Sequence, residues 1–242
     1  MLRRLRTLAL LVLAASALGA VVWVLGYSDL VRYRQLVVVG NRHVTEAAVR
    51  HLADLPEGAP LLALDLPHAV AGVERHPWVA HAQARRVFPD TVEIDIQERV
   101  VRAVLVHDGF FLVDQDGVPF RRADADQLDH PLLTGIPSEL ARREPAVARR
   151  LIQEALALLD EAPHHPGLRV EDLSEVRFDR GIGYTLALRN GGEVLVGFEG
   201  PPALSRLDIL ASQGVDLSHP QRVDLGLPKL VVVTPLPPPS LL

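Results

Sequence analysis

Histidine and carboxylate side chains are the residues of this 242-residue chain that could hold a metal ion. The 10 histidines include the adjacent pair His164 and His165, whose side chains would point in different directions on regular secondary structure, and no His-Glu-x-x-His spacing occurs. The run from Asp114 to Gly117 begins like a calcium loop, but the third acid and the later bidentate glutamate are misplaced. We therefore predict solvated loop histidines, a hairpin turn at 114–117 and no metal site.

Nucleophilic catalysis has no local motif in this sequence. A Gly-x-Ser-x-Gly elbow is absent, and the chain has no cysteine. Lys229 is the only lysine, and Gly226 three residues before it excludes a Ser-x-x-Lys pair. A Ser/His/Asp triad assembled from distant positions stays open, because a chain of this size contains all three residue types. We predict no catalytic residue and no cofactor.

The charge distribution separates the first 28 residues from the rest. Three arginines precede an uncharged run from Thr7 to Ser28, and all 30 acidic residues come later. Without these three arginines, 22 of the 25 basic residues remain, so the part beyond the run has a formal charge of −8. This excess of negative charge argues against nucleic acid as a partner. The pairs Glu74-Arg75 and Arg85-Arg86 are interpreted as surface charge, with a partner contact as the alternative.

The uncharged run is long enough to cross a membrane once. It holds 22 residues rich in Leu, Ala and Val, and about 20 apolar residues in a helix span the hydrocarbon core. The arginines on its N-terminal side orient the N-terminus toward the cytoplasm. A cleaved signal peptide is the alternative, because Ala15-Ser16-Ala17 has the small-x-small form. The apolar or small residues at 18–25 make the segment too long for a typical signal core, so we predict a cytoplasmic tail at 1–6, a transmembrane helix at 7–28 in the lipid bilayer, and export of the rest.

Residues 36–98 have the pattern of a small α+β domain. Gly40-Asn41 is a turn pair that tolerates positive φ, Thr45 can cap the helix that follows it, and Pro67 suits the first turn of a second helix. Later apolar residues alternate with polar ones, as in a sheet buried on one face. We predict a three-stranded sheet covered by two helices, with strands at 36–39, 80–87 and 92–97 and helices that begin after Thr45 and near Asp65.

Residues 99–234 are rich in hairpin turns. Asp108-Gly109, Asp116-Gly117 and Asn190-Gly191-Gly192 each separate two apolar runs. The glycine-rich pieces Gly181-Ile182-Gly183 and Gly191-Gly192 do not lie between a strand and a helix, so they are interpreted as turns and not as phosphate cradles. We predict a mainly antiparallel β-domain with helices, and an α+β class for the chain. Its helices are predicted at 141–160 and 202–213, its last strands at 222–225 and 230–234, and the prolines at 235 and 237–239 are not expected to extend a ladder.

The last strand, from Leu230 to Val233, carries no charge. If it lies at the border of its sheet it exposes unpaired N–H and C=O groups, which most proteins protect, whereas proteins that bind by strand addition leave such an edge open. An internal strand paired on both sides is the alternative, and composition leaves both open. On the edge interpretation, a Val232→Pro change is expected to remove one ladder donor and weaken partner binding.

The order of these pieces resembles one protein family. An arginine-tipped tail, one span, "LVVVGNRHVTEAAV", "GAPLLALDL", "HPWVAHAQARRVFPDTVEIDIQERVVRAVL" and "QRVDLGLPKLVVV" together resemble FtsQ/DivIB, the single-pass cell-division proteins of bacteria. The most specific part of the resemblance is the spacing of its structural motif, which here consists of Gly40, Asn41, Pro77, Trp78 and Pro89 and is followed by Glu98-Arg99.

This resemblance implies a POTRA domain at 35–98, a β-domain at 99–234 and a proline-rich tail at 235–242. It also implies a divisome scaffold in the inner membrane at the septum, without enzymatic activity. FtsB/FtsL-like coiled-coil proteins are the implied partners, together with other divisome membrane proteins. Carried over onto this chain, the partner-binding residues are Arg222, Val223, Asp224, Leu225, Leu227, Leu230, Val231, Val232 and Val233. Relatives often have arginine at the position of Gly226 and an aromatic residue at that of Leu227, so side-chain contacts are expected to differ.

Two other functions are consistent with an anchored, exported chain. A POTRA-bearing transport or outer-membrane assembly component would be expected to carry repeated POTRA units, and this sequence has one. A periplasmic hydrolase would need the catalytic motifs that are missing above. Recovery of coiled-coil division proteins, of outer-membrane assembly proteins or of measurable turnover would separate the three.

Overall fold

The computed structural model describes residues 10–20, 31–214, 217–228 and 230–237, and the chain divides into two compact units, Met1–Arg99 and Val100–Leu242. Residues 10–20 form a helix, α1, whose large apolar side chains are exposed. Within the described ranges no helix combines the length and the hydropathy that a membrane crossing requires. Residues 7–9 and 21–28 of the predicted span lie outside these ranges.

The first unit is a small sheet with two helices. Its elements are β1 Gln35–Val39, α2 Glu46–Ala53, α3 Leu66–Val73, β2 Val79–Val87 and β3 Thr91–Glu98. Among residues 31–99 the three strands lie in the order β1-β3-β2, with β1 parallel to β3 and β2 antiparallel to it. The predicted three-stranded sheet with two helices is confirmed.

Short-range signals start both helices of this unit. The Thr45 hydroxyl accepts the Ala48 N–H at 3.2 Å, and the Asp65 carboxylate accepts the His68 N–H at 3.0 Å. These bonds satisfy backbone donors that the first turn of a helix leaves open. The inner face of β3 is buried throughout, as its alternating pattern predicts.

The second unit is built on one large sheet. Among residues 100–214, 217–228 and 230–237, nine strands lie in the order β12-β11-β10-β9-β8-β7-β4-β5-β6. The strands are β4 Val101–His107, β5 Gly109–Asp114, β6 Pro119–Arg122, β7 Leu132–Thr134, β8 Leu173–Asp179, β9 Gly183–Leu188, β10 Glu193–Gly197, β11 Gln221–Leu227 and β12 Leu230–Pro235. The helices are α4 Ser138–Arg143, α5 Pro145–Glu161 and α6 Arg206–Ser212, and residues of α5 and α6 share one buried core with the strands.

Three features of this unit differ from the sequence-based prediction. The helix predicted at 202–213 begins as a short 3-10 helix, Pro201–Ser205, and is α-helical only over Arg206–Ser212. The single helix predicted at 141–160 is two helices, because Pro145 has no N–H to bond into α4 and instead begins α5. Strands β7 and β8 were not predicted, yet they join the two halves of the sheet, and β7 pairs in parallel with both β4 and β8. Strands β10 and β11 form one further parallel pair. The other neighbouring strands of the sheet are antiparallel, so the sheet is mainly antiparallel.

Candidate functional site

The two edges of the large sheet differ in how well they are protected. Within the described residues, β6 and β12 are the terminal strands. Strand β6 is four residues long, begins with Pro119, pairs through a register shift and carries Arg121 and Arg122. Short length, proline, a bulge and charge are the devices that keep an edge from pairing with another chain. Strand β12 also pairs through a register shift and ends with Pro235, but it is six residues long and uncharged, so it is the less protected edge.

One hydrogen bond beside β12 shows which of its residues direct their N–H and C=O groups toward β11. The Leu236 N–H donates to the Pro220 carbonyl oxygen at 3.0 Å, which makes these two residues a hydrogen-bonded pair. Bonded and non-bonded pairs alternate along an antiparallel ladder. By the register of β11 and β12, Val232 and Thr234 therefore direct their N–H and C=O groups toward β11.

Alternate residues of β12 have the opposite orientation. Val231 and Val233 direct their N–H and C=O groups away from β11, and Pro235 directs its carbonyl group that way. The expectation that Pro235 stays out of the ladder is wrong, because its nitrogen faces the open side, where no bond is lost. The Val232 N–H lies on the β11 side, so Val233 and not Val232 is the position where proline removes an edge donor.

The side chains of β12 divide between the core and solvent. Val231 and Val233 are half-buried against the core, whereas Leu230 and Val232 are exposed. In strand β11, Val223 and Leu225 are completely buried. The side chains of these two predicted partner-binding residues support the edge from inside and present no surface to a partner.

Strand β11 is held at both ends by polar side chains. The Arg222 guanidinium donates to the Glu193 carboxylate of β10 at 2.7 Å, and the Asp224 carboxylate accepts the Gly226 N–H at 2.8 Å. The Leu225 carbonyl oxygen accepts a bond from the Arg206 side chain of α6 at 2.5 Å. These bonds stabilise the strand against which β12 is paired.

An apolar corner lies beside the start of β12 and consists of Ile182, Phe198, Leu227 and Leu230, all of which are exposed. Three glycines next to these residues bring them together: a Cβ on Gly183 would collide with the backbone of Gly197, and a Cβ on Gly197 would lie 3.2 Å from the Cα of Gly226. Leu230 lies opposite Leu227 in the β11–β12 pair. Sequence reasoning missed Ile182 and Phe198, although a bulky apolar residue beside a turn glycine is a usable signal.

The structural motif of the first unit consists of Gly40, Asn41, Pro77, Trp78 and Pro89, and all but Pro89 lie near the Glu98 carboxylate. Glu98 accepts the backbone N–H groups of Arg42, His43 and Val44 at 2.7–3.0 Å and contacts the His43 ring nitrogen at 2.7 Å. Burial alone would raise the pKa of Glu98, but these hydrogen bonds outweigh burial and lower its pKa to about 2. The His43 ring stacks on Trp78 with their centroids 3.9 Å apart. The motif therefore fastens the loop after β1 to the end of β3.

The other motif residues also act within the first unit. Gly40 has a φ of +84°, and a Cβ there would collide with the carbonyl oxygen of Ile96. The Asn41 side chain donates to the Val44 carbonyl at 2.9 Å, and the Pro77 carbonyl accepts a bond from Arg99 at 3.1 Å. Pro89 lies in the turn between β2 and β3.

Arg86 does not fit the prediction of surface charge. It is half-buried, and its guanidinium donates to the carbonyl oxygens of Leu61 and Leu64 at 2.8 and 2.6 Å. Arg85 does fit the prediction, since it is exposed and pairs with Glu93 at 2.7 Å.

The residues considered for metal chemistry have structural contacts. Asp114 is buried in a hairpin turn and accepts the N–H groups of Asp116 and Val118 at 3.0 and 2.9 Å, so the predicted turn is confirmed. His164 is exposed, but the prediction of a solvated side chain is wrong for His165, whose ring is 10% exposed and contacts Asp208 at 3.1 Å. In the part of the chain that the structure describes, no group of three or more such side chains could hold a metal ion.

Comparison with known proteins identifies both units. The family model "POTRA domain, FtsQ-type" matches residues 31–99, and "Cell division protein FtsQ/DivIB, C-terminal" matches residues 103–226.

Proteins called "Cell division protein FtsQ" are similar to this chain along much of its length. The protein of Geobacter sp. strain M21 is 32% identical over 68% of this chain and 61% of its own length. The proteins of Syntrophotalea carbinolica and Anaeromyxobacter sp. strain K are 30% and 36% identical over 74% and 77% of this chain and 67% and 65% of their own lengths. The chain thus spans about two thirds of these relatives, and it belongs to the FtsQ/DivIB family of bacterial cell-division proteins.

Proposed function

We propose that this protein is a non-enzymatic divisome scaffold that binds FtsB/FtsL-like coiled-coil proteins at the septum by β-strand addition to β12. The observation that carries the proposal is the uncharged edge at Leu230–Pro235, which is open among the residues that the structure describes and directs two N–H groups and three carbonyl groups away from β11. Strand addition uses such groups for affinity and alternate side chains for selectivity.

Backbone hydrogen bonds alone supply only part of the binding free energy that a stable complex needs. Five hydrogen bonds at about 0.5–1.5 kcal/mol each contribute roughly 3–7 kcal/mol, whereas a micromolar complex needs about 8 kcal/mol. Burial of apolar side chains must supply the rest. The apolar corner beside Leu230 is suited to this role, because its four side chains are exposed.

The proposal includes the arrangement of the chain at the membrane. We infer a cytoplasmic tail at 1–6, a transmembrane helix at 7–28, a POTRA domain at 35–98, a β-domain that begins at residue 99 and includes Pro235 as the end of β12, and a proline-rich tail after it. The N-terminus would then be cytoplasmic and the two domains extracytoplasmic. The exposed leucines of α1, at positions 10, 11, 13 and 18, support a lipid environment for that helix.

A pair of proline substitutions tests the edge. Val233→Pro removes an N–H group from the open side of β12 and leaves a partner carbonyl unpaired, which costs about 1–3 kcal/mol and should reduce co-purification of FtsB/FtsL-like proteins from membranes at least about fivefold. Arg122→Pro is the matched control: the bond from the Ala123 N–H to the Phe110 carbonyl, at 2.9 Å, puts the Arg122 N–H on the open side of β6.

The proposal predicts full recovery of the partners with the Arg122→Pro protein. Unchanged recovery with a folded Val233→Pro protein would contradict strand addition at β12. An equal loss with both variants would indicate general damage to the sheet.

A further inference from the structure

The chain enters the POTRA unit between two loops. The Tyr33 N–H donates to the Ala59 carbonyl at 2.9 Å, the Gly58 N–H donates back to Tyr33 at 2.9 Å, and Arg32 is bridged to Pro60. We call this part of the unit the entry end, and it comprises residues 31–35 with the loops at 57–64 and 87–90.

The second loop of the entry end contacts the next residues of the chain. The carbonyl oxygen of Asp90 accepts the N–H groups of Arg34 and Gln35 at 2.8 and 3.3 Å. Arg86, at the end of β2, joins the second loop to the first through its bonds to the carbonyls of Leu61 and Leu64. The two loops are therefore fixed relative to each other and to residues 31–35.

Each loop carries one exposed bulky apolar side chain. Leu62 is 52% exposed and lies two positions from Pro60, and Phe88 is 60% exposed and lies two positions from Asp90. Neither side chain contributes to the core of the unit. Leucine and phenylalanine are residues that insert at the boundary between lipid headgroups and acyl chains.

Chain length limits how far the entry end can lie from the bilayer. Ser28 is the last residue of the proposed span, and four residues reach at most roughly 14 Å, so Arg32 must lie within that distance of the hydrocarbon boundary. The headgroup layer occupies roughly 5–7 Å of this distance. The loops bonded to residues 32–35 are therefore held beside the headgroups.

We propose that the entry end docks on the phospholipid surface, with Leu62 and Phe88 inserted into the headgroup layer. This inference rests on the proposed anchor at 7–28. Within the entry end the charges are equal in number, because it holds two arginines, Arg32 and Arg34, and two acids, Glu57 and Asp90. The neighbouring Arg86 adds one positive charge, but it is half-buried and its guanidinium is bonded to the carbonyl oxygens of Leu61 and Leu64. Insertion of the two apolar side chains is therefore the source of attraction, and anionic lipid is not required. Docking would limit rotation of the POTRA unit about its tether.

The chain has no cysteine, so single labels can be introduced cleanly. The full chain would be reconstituted in bilayers of phosphatidylethanolamine and phosphatidylglycerol, with an environment-sensitive fluorophore on Leu62→Cys or Phe88→Cys and a quencher in the headgroup region. Glu46→Cys is the matched control, because Glu46 is exposed at the start of α2, beyond the opposite end of β1. Ala15→Cys reports on the anchor.

The inference predicts quenching at positions 62 and 88 that exceeds quenching at 46 by about twofold or more. The same result in phosphatidylcholine alone is expected from the balanced charge. Quenching at 62 and 88 no greater than at 46, with a label at 15 deep in the bilayer, would refute docking alone and would leave a protein partner as the reason for these exposed side chains. A label at 15 outside the bilayer would refute the anchor and this inference with it.

Discussion

Removing the charge of Glu98 should loosen the POTRA motif by an amount that its pKa predicts. A carboxyl group whose pKa is about 2 in the folded protein and 4.5 as its reference value stabilises the fold by about 3 kcal/mol at neutral pH, at 1.36 kcal/mol per unit. The side chain is 8% exposed, so little of this is screened by solvent. We expect Glu98→Gln to lower the free energy of unfolding of this unit by about 2–3 kcal/mol, since the amide keeps the shape and loses the charge.

The pH dependence has a definite sign. Because the folded pKa is lower than the reference value, the contribution of Glu98 is fully present above pH 4.5 and is lost as the pH falls toward 2. The Glu98→Gln protein should therefore show a smaller loss of stability over this interval than the parent chain. The two proteins should become equally stable at the acidic end.

Hydrogen exchange measured by mass spectrometry provides a local assay. The amides of the 42–44 loop, which donate to Glu98, should exchange faster in Glu98→Gln, whereas amides of the large sheet serve as the internal control. Glu93→Gln is a matched control variant, because Glu93 belongs to the same strand but pairs with an exposed arginine, an interaction worth about 1 kcal/mol or less. Equal exchange of the loop in the parent and Glu98→Gln proteins would refute the reasoning.

Three further predictions concern other parts of the molecule. Gly40→Ala should destabilise the first unit by more than about 2 kcal/mol in urea titrations, since the Cβ meets a carbonyl oxygen at positive φ; a change below 0.5 kcal/mol or so would contradict this. Tyr184→Phe should lower the stability of the second unit by about 1–2 kcal/mol in thermal unfolding, because the buried hydroxyl contacts the Leu151 carbonyl and Glu154 at 3.1 and 3.0 Å; an unchanged midpoint would oppose it. Phe198→Ser should reduce partner recovery while the circular dichroism spectrum stays constant, and full recovery would remove the apolar corner from the proposed interface.

The first unit could be predicted almost completely from the sequence. Thr45 and Asp65 start helices through bonds to residues three positions away, and the buried face of β3 follows from strict alternation. Such signals act between near neighbours in the chain, and so they can be read without knowledge of the fold. The bonds from the N–H groups of residues 42–44 to the Glu98 carboxylate could not be predicted from local signals, because more than 50 residues separate Glu98 from this loop.

Parts of the large sheet could not be predicted from signals between near neighbours in the chain. Strand β7 has three residues, too few to establish a period, and it is held by parallel neighbours distant in sequence. For the candidate edge, the sequence indicated an uncharged last strand at 230–234. It did not decide whether this strand lies at the border of the sheet or inside it. Likewise, Ile182 and Phe198 are brought to Leu227 only by the pairing of β9, β10 and β11.

The sequence by itself therefore determined the family, the elements of the first unit and the uncharged character of the last strand, because these depend on residue types and on contacts between near neighbours. Only the tertiary structure decided that β12 is a terminal strand among the described residues and that Val233, unlike Val232, directs its N–H group outward. The order of strands in a sheet, and the direction in which each N–H group points, are set when two strands pair. The distance between the two strands along the chain does not tell which edge of either strand stays unpaired.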